Sequence, residues 1–102
     1  MNSVLLAVAL LLGPQGDPDS LSENATRLAQ EKRYDEAAAL WQEALKIEPG
    51  HFSALFNLGY MNFTRSRFRE AEPFLARAAR VKPGDFNTRY LLGNTLVGLG
   101  RS

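Results

Sequence analysis

Two stretches of this chain, Glu48-Pro49-Gly50-His51-Phe52 and Lys82-Pro83-Gly84-Asp85-Phe86, stand 34 residues apart. The same shift maps Tyr34 onto Phe68, Glu36-Ala37 onto Glu70-Ala71, Ala44 onto Ala78, Ile47 onto Val81 and Leu58-Gly59 onto Leu92-Gly93. A fixed period of this length restricts the fold to stacked supersecondary units, each burying its apolar face on its neighbours. Chance does not align Pro-Gly, Glu-Ala, Leu-Gly and an aromatic residue in one register.

Between the Pro-Gly breaks the apolar spacing is helical. Ala37, Leu40, Trp41, Ala44 and Leu45 fall at i, i+3, i+4, i+7 and i+8, and Ala71, Phe74, Leu75, Ala78 and Ala79 repeat the series. The pattern predicts five helices, near 19–32, 35–47, 52–65, 69–81 and 86–98. Ser20-Leu21-Ser22-Glu23 reads as a capping box for the first, and Pro49-Gly50 and Pro83-Gly84 stop the second and fourth. Pro73 falls in the first turns of the fourth, where it is expected to bend the helix rather than break it.

These residues resemble the tetratricopeptide repeat, a helix–turn–helix unit marked by W-x2-L-G-x2-Y, A-x3-F and P. The middle unit carries Leu55-x2-Leu58-Gly59-x2-Asn62, Ala71-x3-Leu75 and Pro83. The first keeps Ala37-x3-Trp41 and Pro49, with Leu21-x2-Asn24-Ala25-x2-Leu28 as its opening; the third shows Arg89-x2-Leu92-Gly93-x2-Leu96. The resemblance implies an all-α fold, an α-solenoid of antiparallel helix pairs over residues 18–102, with units 18–51, 52–85 and an incomplete 86–102. Ala37, Gly59, Ala71, Ala78 and Gly93 are expected to let helices approach closely, while Tyr34, Phe68, Trp41 and Leu75 fill the space between them. Gly100-Arg101-Ser102 corresponds to the intra-unit turn Ser66-Arg67-Phe68, so Tyr90, Leu91, Leu92, Leu96, Val97 and Leu99 are expected to leave apolar surface uncovered. Two explanations follow: the sequence is the N-terminal part of a longer protein, or residues 86–102 self-associate.

The first residues are of another kind. Val4 to Leu12 is an unbroken apolar run, followed by the helix-breaking Gly13-Pro14-Gln15-Gly16. The run is too short to span a bilayer, which takes about 20 apolar residues. Its length suits a signal peptide over residues 1–17, with cleavage after Gly13 or Gly16, and export to the periplasm or the exterior. No Lys or Arg precedes it and no Ala-x-Ala pair follows it, so an apolar N-terminal helix that packs on the domain or anchors it to a membrane surface is the alternative. In that case the protein is cytoplasmic or membrane-associated. Membrane contact is expected only through this segment.

Several chemistries are excluded by composition. The 102 residues include no cysteine and one histidine, which removes disulfides, thiolate metal sites, cysteine nucleophiles and any site needing two imidazoles. There is no G-x-S-x-G, no phosphate-binding glycine loop, and Gly93, Gly98 and Gly100 are wrongly spaced for a dinucleotide fingerprint. Glu31, Asp35, Glu36 and Glu43 are read as solvent-facing charge, His51 as a turn or capping residue, and the sequons at Asn24 and Asn62 as incidental within helices. We therefore expect no enzyme, no catalytic residue, no cofactor, no metal and no small-molecule substrate. Net charge is +1, with residues 1–50 at −4 and 51–102 at +5. The basic residues of the second half are dispersed, which reads as a solvated surface rather than a phosphate or nucleic-acid site.

Binding remains. Phe56, Tyr60 and Phe63 form one stripe of the third helix, set apart from Leu55, Leu58, Gly59 and Asn62 on its core side. By resemblance, the first helices of successive units line a concave groove for a peptide or protein partner. Phe56, Asn57, Tyr60 and Phe63 then face it, joined by Asn87, Tyr90 and Asn94 of the fifth helix and Ser22, Thr26 and Gln30 of the first. Phe56, Phe63 and Tyr90 have a second reading, as filler between adjacent first helices. Family members that hold a chaperone's C-terminal carboxylate use a Lys/Arg/Asn clamp on these faces. Only Asn57 fits it; Ser22, Asn87 and Leu91 stand at the matching basic positions, so chaperone-tail binding is not expected. The alternative function is an assembly piece whose apolar fifth helix docks on further repeats or another subunit.

Overall fold

The computed structural model describes residues 16–100. The apolar N-terminal segment lies almost wholly outside them. The described residues form five helices: α1 (Pro18–Gln30), α2 (Tyr34–Ile47), α3 (Phe52–Thr64), α4 (Phe68–Val81) and α5 (Phe86–Gly98). None of them is long and apolar enough to cross a membrane. The architecture is the expected all-α stack, α1 packed on α2, α3 on α4, and α5 closing against α4 and α3.

The period governs how each helix begins and ends. Asp17, His51 and Asp85, spaced 34 apart, are the N-caps of α1, α3 and α5, and each side chain accepts the backbone N–H three residues on: Ser20, Ala54 and Thr88. The capping box expected at Ser20 is therefore not formed. Asp17 caps instead, because Pro18 already holds a helical φ and has no N–H to satisfy. At the other end, Lys32, Ser66 and Gly100 share one repeat position and all have positive φ (64°, 58° and 78°). In the first two turns this builds a Schellman cap. Arg33 N–H reaches Leu28 C=O at 2.9 Å and Lys32 N–H reaches Ala29 C=O at 2.9 Å, while Arg67 N–H reaches Asn62 C=O at 2.8 Å and Ser66 N–H reaches Phe63 C=O at 2.9 Å. A left-handed Lys or Ser costs about 1 kcal/mol, which satisfying otherwise unpaired carbonyls offsets.

Both capping carboxyls, at Asp17 and Asp85, are held below their ordinary pKa. The Ser20 N–H does this for Asp17; the Thr88 hydroxyl, then its N–H, does it for Asp85. A lowered folded-state value means the stabilisation is complete above the unfolded-state pKa and is lost as pH falls through the folded one. Thermal melts taken from about pH 5 downward should show this loss. Asp85→Asn, which keeps the cap without a titrating proton, should flatten its share of the slope; an unchanged slope would assign the acid sensitivity elsewhere.

The main core gathers Leu21, Ala25, Ala37, Trp41, Ala44, Leu45, Ala54, Leu55, Leu58, Met61 and Ala78. A second cluster joins Ala71, Leu75 and Leu91, with Phe56, Phe63 and Leu92 packed against it. Leu91 is thus buried rather than uncovered, because α5 turns this face to the α3–α4 pair. Leu92, Leu96 and Leu99 are half-buried, and Tyr90 and Val97 are exposed. Small residues act where expected at Ala37, Ala71, Ala78 and Gly59. A Cβ on Gly59 would lie 2.5 Å from both Cγ and Cδ2 of Leu75. Gly93 differs: a Cβ there meets no atom within 4 Å among the described residues, so no close approach depends on it. Gly98 carries one unforeseen, its Cβ position lying 2.7 Å from the Phe68 ring. Pro73 is the sixth residue of α4, past the turn where a missing N–H is harmless, and the helix runs on through it to Val81.

Candidate functional site: the inner face of the stack

α1 touches α3 and α3 touches α5, whereas the backbones of α2 and α4 stay apart. The first helices of the units therefore line an inner face, and the second helices splay along the outside. Core packing fixes the rotation of α3. Leu55, Leu58, Gly59 and Asn62 are all buried, the last donating its amide to Leu58 C=O at 2.9 Å. That burial also removes the Asn62 sequon from solvent.

With those residues turned inward, Phe52, Phe56 and Tyr60 form a ladder of near-parallel rings along α3, with centroids 5.9 Å and 6.1 Å apart. Phe86 and Tyr90 repeat it on α5 at 6.0 Å. The seven groove residues expected from the sequence are placed differently from one another. Tyr60 and Tyr90 are 49% and 60% exposed. Asn57 is half-buried and donates to Ser53 Oγ at 3.2 Å, Asn87 is exposed and Asn94 half-buried. Phe56 is half-buried against the Ala71–Leu75–Leu91 cluster. Phe63 turns away from the ladder, its ring edge-on to Phe68 of α4 at 5.7 Å, and serves packing. Two cations from turns cover rings at the ends of α2 and α3: the Arg65 guanidinium sits 4.3 Å from the Tyr34 centroid and the Lys82 ammonium 4.4 Å from that of Phe52.

The seam between α1 and α3 opens into a cavity of about 230 Å³ lined by Asp19, Ser22, Glu23, Thr26, His51 and Ser53. Ser22 is buried at its floor, sharing a hydrogen bond with Ser53 Oγ at 3.3 Å. Gln30 is exposed at the far end of α1. His51 is 5% exposed. Its Nδ1 accepts the Ala54 N–H at 3.1 Å, so the ring proton sits on Nε2, which donates to Asp19 Oδ1 at 2.6 Å. One side chain thereby caps α3 and ties it to the first turn of α1. Sequence reasoning gave His51 a capping role but missed Asp19; nothing in the spacing of 19 and 51 announces the pair. Among the described residues, no three His, Asp or Glu side chains are grouped so as to hold a metal ion.

Helix pairs repeating every 34 residues, with their first helices exposed along one inner face, define an α-solenoid, a class whose concave surface serves binding. The tetratricopeptide repeat family profile matches residues 23–87, and the chain belongs to that family. Repeats of this family generally mediate protein–protein interaction and are typically non-enzymatic. Comparison with curated proteins finds no significant match.

Proposed function

We propose that the protein binds a peptide or protein segment in the groove formed by α1, α3 and α5. The observation that carries this reading is the pair of tyrosines. Tyr60 and Tyr90 leave about half or more of their surface in water on the inner face, although the core offers sites where Trp41 and Leu75 are almost fully buried. Amphipathic rings beside the amides of Asn57, Asn87 and Asn94 can grip apolar side chains and pair with a ligand backbone at once. Tyr60→Ala and Asn57→Ala should abolish capture of peptides selected on the intact chain and leave helicity by circular dichroism unchanged. Undiminished capture would sink the reading, and lost helicity would return these residues to the packing.

A second reading has its own observation. Phe86 and Val97 of α5 are 74% and 68% exposed, and Gly93 lies open beside them. On this view α5 docks on further repeats or another subunit. Light-scattering mass that rises with concentration would favour it over the groove; a constant monomer mass would count against it.

A further inference from the structure

We infer that the groove selects a segment carrying a lysine or arginine about three residues from an aromatic or large aliphatic side chain. The cation sits in the α1–α3 cavity and the apolar side chain on the rings of α3 and α5. The inference rests on the groove reading above and adds the chemistry of the partner.

Charge complementarity carries it. Among the described residues, no lysine or arginine lines the cavity, and Asp19 and Glu23 are its carboxylates. The Asp19 side chain is 84% exposed, and its Oδ1 is engaged by His51. Glu23 is exposed on the next turn of α1. Ser22, Ser53 and Thr26 line the cavity beside them, their hydroxyls already bonded to one another, to the Asn57 amide and to the Ser22 C=O. The two carboxylates present acceptors to an ammonium or guanidinium, which brings only donors. The His51 proton points to Asp19 and so adds no repulsive charge while the ring is neutral.

The α5 side of the groove is set up differently. Lys82, at the turn between α4 and α5, holds its ammonium over the Phe52 ring, and the Asp85 carboxylate beside it offsets its charge. The α1–α3 side, with Asp19 and Glu23, is the one that attracts a ligand cation. The spacing follows from geometry. Neighbouring helix axes stand roughly 8–10 Å apart and an extended chain advances about 3.3 Å per residue, so one step from α1–α3 to α3–α5 takes about three residues.

The experiment is selection from a displayed random-peptide library on the full chain, on Glu23→Lys and on Tyr60→Ala/Tyr90→Ala. All three changes are at exposed positions, and helicity is checked on each protein. The full chain should enrich Lys or Arg at a fixed short distance from an aromatic or large aliphatic residue. Glu23→Lys, which leaves one carboxylate and one ammonium at the cavity, should erase that preference and keep the apolar requirement. A selected peptide should bind Glu23→Gln about three- to tenfold more weakly than the full chain, with the difference shrinking at high salt. Pools enriched in apolar residues with no charge preference, or the same preference on Glu23→Lys, overturn this inference and leave the groove intact. Pools on the full chain no different from those on the double tyrosine variant overturn the groove itself.

Discussion

Gly59→Ala and Gly93→Ala, the same substitution at the same repeat position, should shift stability in opposite directions. In a helix interior, replacing Gly with Ala stabilises by up to about 1 kcal/mol through backbone entropy. At Gly93 that gain is unopposed, since the new methyl meets no atom within 4 Å among the described residues. At Gly59 the methyl arrives 2.5 Å from two carbons of Leu75, whose backbone N lies only 3.4 Å away, and Leu75 is fully buried. Overpacking of this kind costs about 1–3 kcal/mol, with the upper part of the range expected where the neighbour has no room to retreat. The net effect at Gly59 should be a loss of about 1–2 kcal/mol, or on the order of 4–15 °C in Tm for a domain of this size. Gly93→Ala should raise Tm by a few degrees at most. Paired thermal melts decide the matter. A Gly59→Ala protein as stable as the parent would mean that α3 and α4 are not so closely packed.

His51→Ala should be about as damaging, by a different route. It removes the N-cap of α3, worth about 1 kcal/mol, and the bond from Nε2 to Asp19 that crosses between units. It also leaves a void where a buried ring had been. A combined loss of roughly 2–3 kcal/mol is expected. His51→Asn supplies the cap again, as Asp17 and Asp85 do at the equivalent positions, and should recover about 1 kcal/mol of it. Chemical denaturation of the two variants separates the contributions. Equal stabilities would show that the imidazole acts through packing and its bond to Asp19 rather than as a cap.

What the sequence revealed was whatever the period repeats in residue type. Pro-Gly, Glu-Ala and Leu-Gly in one register were enough for five helices within a residue or two of their observed ends. The caps were repeated as well, but in disguise. Gly16-Asp17-Pro18 is one further step back from Gly50-His51-Phe52, and the Ser20–Glu23 capping box drew attention from it. The left-handed turns at Lys32 and Ser66 gave no local sign, since neither is Gly or Asn; only Gly100, at the same position, marks the conformation. Gly59 and Gly93 show the limit most clearly. Their Leu-Gly motifs are the same, and what separates them is whether Leu75 or open space lies opposite, a matter of distant packing. In the groove, periodicity separated the core side of α3 from the aromatic stripe. It did not divide Tyr60, left in water, from Phe63, taken up by Phe68.

The main core does not respect the repeat boundary: Ala37, Trp41, Ala44 and Leu45 of the first helix pair share it with Ala54, Leu55, Leu58, Met61 and Ala78 of the second. On the outer side, Arg77 of α4 donates to the Pro49 C=O at 3.1 Å, in the turn that follows α2. On the inner side, the bond between His51 and Asp19 joins the same two pairs. The first two units are therefore fastened at the centre and along both rims, and the curvature of the surface they offer a partner is set before any partner arrives.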